Sequence, residues 1–231
     1  RGGRRQPWRC RMIVTLDGPA GAGKSTAAKA LAQRLGWRYL DTGAMYRAVA
    51  WAALDRCIPL EDEPAVAGLA DALEIRFDKN RVLVDGHDVT QAIRTHEVTA
   101  ATRRVADAAA VREVMVEQQR RIAADCHIVT EGRDQGTVVF PSAELKVFLT
   151  ASAAERARRR HRERSACGDA VSFETILASQ QARDDADAAR PVGAMRAADD
   201  AVLVETDGMD ETAVVETLVD LVVSRGGDVC P

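Results

Sequence analysis

Nine residues, Gly18-Pro19-Ala20-Gly21-Ala22-Gly23-Lys24-Ser25-Thr26, restrict what this chain can become more than any other stretch. They follow a short apolar run, Ile13 to Leu16, and open onto an alanine-rich segment with helical spacing, Lys24 to Leu35. The pattern is G-x-x-x-x-G-K-[ST] between strand and helix, the context in which such a loop wraps a polyphosphate. Glycines let the backbone approach an anion without a Cβ in the way. The exposed N–H groups then point at a helix N-terminus, where the helix dipole also favours negative charge. The loop from Gly18 through Pro19, Ala20, Gly21, Ala22 and Gly23 to Thr26 is thus expected to hold ATP, with Lys24 on the β- and γ-phosphates and the Ser25 hydroxyl on Mg²⁺.

The rest of the chain fits an α/β protein. After Gly36, a natural helix stop, Tyr39 to Asp41 reads as a second strand and Ala44 to about Leu54 as a second helix. Strand, helix, strand, helix opens a parallel sheet covered by helices. Between Glu61 and Thr95 the pattern turns to alternation, Leu73 to Phe77 and Arg81 to Val84 around Asp78-Lys79-Asn80, which predicts a small antiparallel insert. Helical spacing returns from Glu97 to Ala124, broken near Ala108 to Ala110. Strands are expected at His127–Thr130, Leu145–Leu149 and Ala201–Val204, with helices at Ser172–Ala189 and Glu211–Val223. Ser152 and Glu155 form a capping box for an arginine-rich helix, Arg156 to Arg164.

Totals exclude several classes. A chain of 231 residues with a formal charge of −3 is not built as a general nucleic-acid binder, so its basic clusters need local explanations. No apolar run approaches membrane-spanning length. Five cysteines, Cys10, Cys57, Cys126, Cys167 and Cys230, form no C-x-x-C pair and are odd in number, which favours reduced thiols and a cytoplasmic setting. Asp17, ending the first strand, is a candidate either for the second shell of Mg²⁺ or for capping the loop. The four histidines show no catalytic arrangement.

Charged groups past the predicted strand ends, Asp41 to Arg47 and Glu131 to Asp134, sit where ligands collect in open α/β sheets. Arg183, Asp187 and Arg190, spaced i, i+4, i+7, are predicted to share one helix face. Bringing two divalent phosphate groups to 4 Å costs ~16 kcal/mol at an effective dielectric near 20, so a phosphoryl transfer between nucleotides calls for convergent cations. No general base is required, because a phosphate monoester is already mostly ionised. Several arginines, a loop lysine and Mg²⁺ are the expected signature, and this sequence has them.

Five motifs now carry a resemblance. They are Gly18 to Ser25; Leu40-Asp41-Thr42-Gly43-Ala44-Met45-Tyr46-Arg47; Ile93-Arg94-Thr95 with Glu97-Val98; Glu131-Gly132-Arg133-Asp134 with Gly136 to Pro141; and Arg183-Asp184 with Asp187 and Arg190. The chain resembles the bacterial-type cytidylate kinases, members of the nucleoside monophosphate kinases, from Met12 to about Arg225. The resemblance implies a P-loop three-layer α/β/α fold with a central parallel sheet. It divides the chain into a basic flexible tail (1–11), a kinase domain (12–225) with an NMP-binding antiparallel insert (about 61–95) and a helical lid (about 152–170), and a C-terminal tail (226–231).

For the site it implies that Arg47, Arg133 and Arg190, with Tyr46, Thr42 and Gly43 alongside, hold the acceptor phosphate. Arg183 and Asp187 would take the ribose hydroxyls, and Thr102, Arg112 and Asp134 the cytosine edge. Lys24, Arg133, lid Arg159 and Glu131 would be catalytic, with Ser25 and Glu131 at the metal. The implied substrates are CMP and dCMP, acted on by a monomer without nucleic-acid or membrane partners. Uracil would present a carbonyl to Asp134, and an unpaired buried group costs ~1–3 kcal/mol, so cytosine is expected to be preferred by degree.

Three positions depart from the family pattern. Glu131 stands where aspartate is frequent, Gln135 replaces an apolar residue, and Ala194-Met195 replace Pro-Leu while Pro191 follows Arg190. A kinase for another nucleotide or a small metabolite such as shikimate, a nucleotide-dependent switch, and an inactive binding module remain as rivals. A guanine-reading N-K-x-D is absent, and a switch has no use for a second anion site.

Overall fold

The computed structural model describes residues 11–78, 80–166 and 168–227. Its centre is a five-stranded parallel sheet of β1 (Ile13–Asp17), β2 (Arg38–Asp41), β6 (Ile128–Glu131), β7 (Leu145–Thr150) and β8 (Val202–Glu205), in the order β2-β6-β1-β7-β8. The register sets Leu16 opposite Glu131 and Asp41 opposite the same residue on the other side. Three strand ends that carry the motifs therefore meet at one edge, as the crevice rule for such sheets requires.

Alternation along the strands builds the two flanking layers. Ile13, Ile128 and Leu40 face a core shared with α2 (Thr42–Asp55), α3 (Glu63–Ala72), α4 (His96–Asp107) and α5 (Ala109–Ala123). Val14, Leu16, Val129 and Val147 face the opposite way, toward α1 (Lys24–Leu35) and α8 (Glu211–Ser224). Leu16, Leu31 and Leu218 are fully buried there, so truncating any one costs roughly 2–5 kcal/mol. Gly36 ends α1 in the left-handed conformation (φ 67°), where glycine carries no Cβ penalty.

The insert differs from its sequence reading. Its first part is α3, capped by the Asp62 carboxylate accepting from Ala65 N–H at 3.0 Å, with Pro64 in the first turn. The alternation masked this start signal, and Leu73 is a buried helix cap, not the first residue of a strand. The antiparallel sheet is β3 (Ile75–Asp78), β4 (Arg81–Val84) and β5 (His87–Asp88). β4 and β5 are joined by Asp85-Gly86 with φ 49° and 82°, a two-residue hairpin whose twist matches its strands. Lys79 of the expected turn lies outside the described residues.

Other boundaries follow the reading closely. α4 and α5 break at extended Ala108 (ψ 116°), and α7 (Phe173–Ala188) is capped by Ser172 Oγ accepting from Thr175 N–H. α6 (Ala153–Ala166) starts at Ser152, whose Oγ accepts from Glu155 N–H at 3.2 Å. The Glu155 carboxylate pairs with Arg158 and Arg159 and does not reach back, so the capping box is half formed. Of the 1–11 tail only Arg11 is described, and it is anchored, its guanidinium donating to Ala124 O at the end of α5. At the other end Gly227 N–H donates to Val222 O, so 226–227 finish the last helix and only 228–231 lie outside the described residues. Among the described residues no helix is long and apolar enough to cross a membrane.

Candidate active site

The parallel strand ends open onto a cavity of about 890 Å³. One end is formed by the loop residues Ala20 to Thr26 with Arg159, Arg160 and Glu163 of α6 and Met209 to Glu211 beyond β8. The other holds Thr42, Gly43, Tyr46, Arg47, Thr102, Arg112, Arg133, Asp134, Arg183, Asp187 and Arg190. Gly18 and Pro19 do not line it, contrary to the sequence reading. A Cβ on Gly18 would overlap the Leu149 carbonyl, so this glycine allows the loop to pass β7 and does not clear space for an anion. Pro19 contributes its carbonyl, which accepts from Lys24 Nζ at 2.7 Å. The loop is fastened from outside: Arg156 Nη1 donates to Ala20 O at 2.9 Å and to the Asp184 carboxylate, which also accepts from Ala20 N–H.

Burial and the nearby Arg133 guanidinium lower the Lys24 pKa to about 7. Ser25 Oγ donates to Glu131 Oε1 at 2.9 Å, and burial together with the Asp41 charge pushes the Glu131 carboxyl up. These two hard oxygen donors, beside a phosphate-cradling loop, suit Mg²⁺, which keeps several waters and takes one or two protein oxygens plus phosphates. No larger cluster of His, Cys, Asp or Glu able to hold a metal occurs among the described residues.

At the far end one carboxylate organises two arginines. Asp187 accepts from Arg133 Nε at 2.7 Å and from Arg190 Nη2 at 2.8 Å, while Arg190 Nε reaches Asp107 at 2.7 Å. Burial would raise the Asp187 carboxyl, but Arg133 and Arg190 hold it below the ordinary range. Arg190 lies past the end of α7, so the three groups do not share one helix face as predicted. Pro191 disfavours helical backbone at Arg190, and the ion pairs bring the guanidinium back to the cluster. Arg183 opens to the cavity with no ion-pair partner among the described residues; crowding by protein atoms and by Arg133 lowers its pKa. Arg47 folds over Gly43 to Asp41 (3.2 Å), a salt bridge that also leaves Asp41 capping α2 through Ala44 N–H.

Arg112 and Asp134 form a buried ion pair, with Arg112 Nη1 also donating to Ala106 O. Tyr46 stacks its ring under Arg112 (5.7 Å), and Thr102 Oγ1 donates back to Val98 O at 2.6 Å with its lone pairs free to accept. Arg159 donates to Thr206 O and Oγ1, at the loop end of the cavity.

The family model for cytidylate kinase matches residues 14–224. The chain belongs to the cytidylate kinase family. It is 50% identical over 91% of its length to a cytidylate kinase from Rhodopirellula baltica, covering 92% of that protein, and 45% identical over 94% to one from Carboxydothermus hydrogenoformans, covering all of it. A crystal structure of an uncharacterized protein from Eubacterium ventriosum shares the fold (TM-score 0.52, 9% identity, 93% of this chain and 99% of that one). Family membership makes this chain a phosphotransferase acting through nucleotide-dependent phosphoryl transfer.

Within this cytidylate kinase fold, one feature implied by the resemblance and one read from the residues themselves take other places. None of the cavity's described lining residues comes from 61–95, so the antiparallel insert makes no part of this pocket. Asp17 neither caps the loop nor hydrogen-bonds to the Ser25–Glu131 pair. Its buried carboxylate accepts from Gln135 N–H (2.8 Å) and Gly136 N–H (2.7 Å), fixing a turn of π-helix, Gln135–Val139, that periodicity could not show. Gly193 was also missed: at φ 70°, its backbone lies so close to Arg112 and Asp134 that a Cβ would overlap both.

Proposed function

We propose that this protein transfers the γ-phosphoryl group of ATP to CMP or dCMP, giving ADP and CDP or dCDP. The observation that carries the reading is a single cavity with a triphosphate loop at one end and converging guanidinium groups at the other, of which Arg183 has no ion-pair partner among the described residues. Lys24 would exchange the Pro19 carbonyl for phosphate oxygens, and its lowered pKa would rise again beside that anion. Arg133 keeps Nη hydrogens for phosphate after its Nε has been engaged by Asp187, and Arg190 and Arg183 add charge from a second element. Arg47 completes the acceptor end beside Thr42 and Gly43. Such fixed donors act without reorganising at the moment of transfer. Arg159, from the lid helix, approaches the loop end and would complete the cation set there.

Mg²⁺ held at Ser25 and Glu131 would neutralise charge on the β- and γ-phosphates. The Arg112–Asp134 pair, with Thr102, presents donors and an acceptor complementary to the N3, O2 and N4 edge of cytosine. Arg183 and Asp187 border the space for the ribose. Cys57 and Cys126 are free, which suits the cytoplasm. A coupled assay for ADP across the nucleoside monophosphates tests the assignment. Turnover highest with CMP or dCMP is expected; robust turnover with a different monophosphate and none with CMP would overturn it.

A further inference from the structure

Gln135, the residue directly after Asp134, is buried to 2% exposure and fixed at three points. Its backbone N–H is held by Asp17, its Oε1 accepts from Thr130 Oγ1 at 2.8 Å, and its Nε2 donates to Gln119 Oε1 at 3.0 Å. Its side chain folds over Gly132 so closely that a Cβ there would come within 2.8 Å of Gln135 Cγ. The residue thus supports the backbone on both sides of Arg133 and Asp134.

Gln119 is fully buried on α5, seven residues after Arg112 and on the same face, with Met115 between them. Seven residues are two helical turns, about 10 Å along the axis. The helix is therefore fastened to one dipeptide at two heights: Arg112 to Asp134, and Gln119 to Gln135. Donation runs one way, from the Thr130 hydroxyl to Gln135 and from Gln135 to Gln119, so the amides cannot slide without losing a bond. Gln119 Nε2 finds no partner among the described residues, a desolvation cost that two apolar side chains of similar volume would avoid. Packing alone therefore does not account for a pair of glutamines here.

We propose that Gln119 and Gln135 are positioning residues for acceptor-base recognition, a side-chain tether that sets the height of Arg112 on α5 relative to Asp134. The inference rests on the reading of Arg112 and Asp134 as the groups facing the base. Directional bonds between buried amides fix one register of helix against turn, whereas an apolar pair tolerates shifts of a few tenths of an ångström. Loss of the tether lets the Arg112–Asp134 pair drift, and what suffers is the match to the cytosine edge, not the grip on ATP.

The test uses the full chain carrying Gln119→Met, Gln135→Met, both together, or Asp134→Asn, assayed with CMP and UMP at varied ATP. Each single glutamine variant is expected to lower the CMP:UMP ratio of kcat/KM at least fivefold while the KM for ATP stays within twofold. The double variant, which removes one tether once, is expected to match the singles. A ratio within twofold of the parent, with only a lower melting temperature, would show that the glutamines merely pack and would overturn the proposal. Should these variants fail to fold, Thr130→Val removes one hydroxyl, keeps both amides, and is expected to lower the same ratio by at least twofold; an unchanged ratio would again overturn the proposal. Asp134→Asn separates the two ideas. If it leaves the ratio unchanged, the base-reading assignment fails; if it lowers the ratio and the glutamine variants do not, the tether alone fails.

Discussion

Asp187→Asn is the most informative single change. Asp187 Oδ2 takes Arg133 Nε and Oδ1 takes Arg190 Nη2, so one carboxylate aims two guanidinium groups. The side chains involved are 10%, 17% and 7% exposed, which makes these partly desolvated pairs and not surface ones. Removing one partner of a buried pair costs ~3–5 kcal/mol. Asparagine keeps one oxygen, and Arg190 retains Asp107, so about 2–3 kcal/mol of aim is lost, or roughly 30- to 150-fold in kcat/KM at 1.4 kcal/mol per tenfold. The substitution also makes the cluster more positive, so inhibition by inorganic phosphate should not weaken. Steady-state kinetics with CMP and dCMP distinguishes the two roles open to Asp187. If it organises the arginines, both substrates lose activity equally. A loss confined to CMP would assign Asp187 to the ribose 2′-hydroxyl, and kcat/KM within threefold of the parent for both would refute the argument.

Lys24→Met should lower kcat at least ~100-fold, the scale of one lost transition-state donor, and a parent-like kcat would remove the loop lysine from the mechanism. Gly193→Ala combines a left-handed backbone with overlap on Arg112 and Asp134, so it should cost ~1–3 kcal/mol of stability and raise the KM for CMP with the KM for ATP unchanged; equal melting temperatures would contradict the close approach. Asp17 has its pKa raised from 3.8 to about 6, chiefly by burial. The folded state therefore binds the proton more tightly. Its contribution to stability is full below pH 3.8 and is lost as pH rises through 6, by about 3 kcal/mol in all. Denaturant titrations of the parent and Asp17→Asn between pH 4 and 7 should show the parent losing stability relative to the variant as pH rises. A constant difference would place the carboxylate's pKa elsewhere.

The loop from Gly18 to Thr26, the strand–helix alternation around it and the family were all readable from residue order, because each depends on local spacing and on chemistry that few residue types can supply. So were the stop at Gly36 and the hydroxyl cap at Ser152, which satisfy backbone groups within one turn. Helix α3 was hidden by the alternation that follows it, although Asp62-Glu63-Pro64 carried a start signal. The π-turn after Asp134 was not legible, since it exists only because Asp17, more than a hundred residues earlier, takes its N–H groups. Arg190 shows the same division. The resemblance implied a phosphate partner for it, but Pro191 follows the end of the helix and ion pairs with Asp107 and Asp187 decided its direction. Sequence by itself determined the fold class, the loop and the supply of cations. Only the tertiary structure decided which of those cations are neutralised by carboxylates and which face the cavity, because that depends on distances between segments that no local pattern encodes.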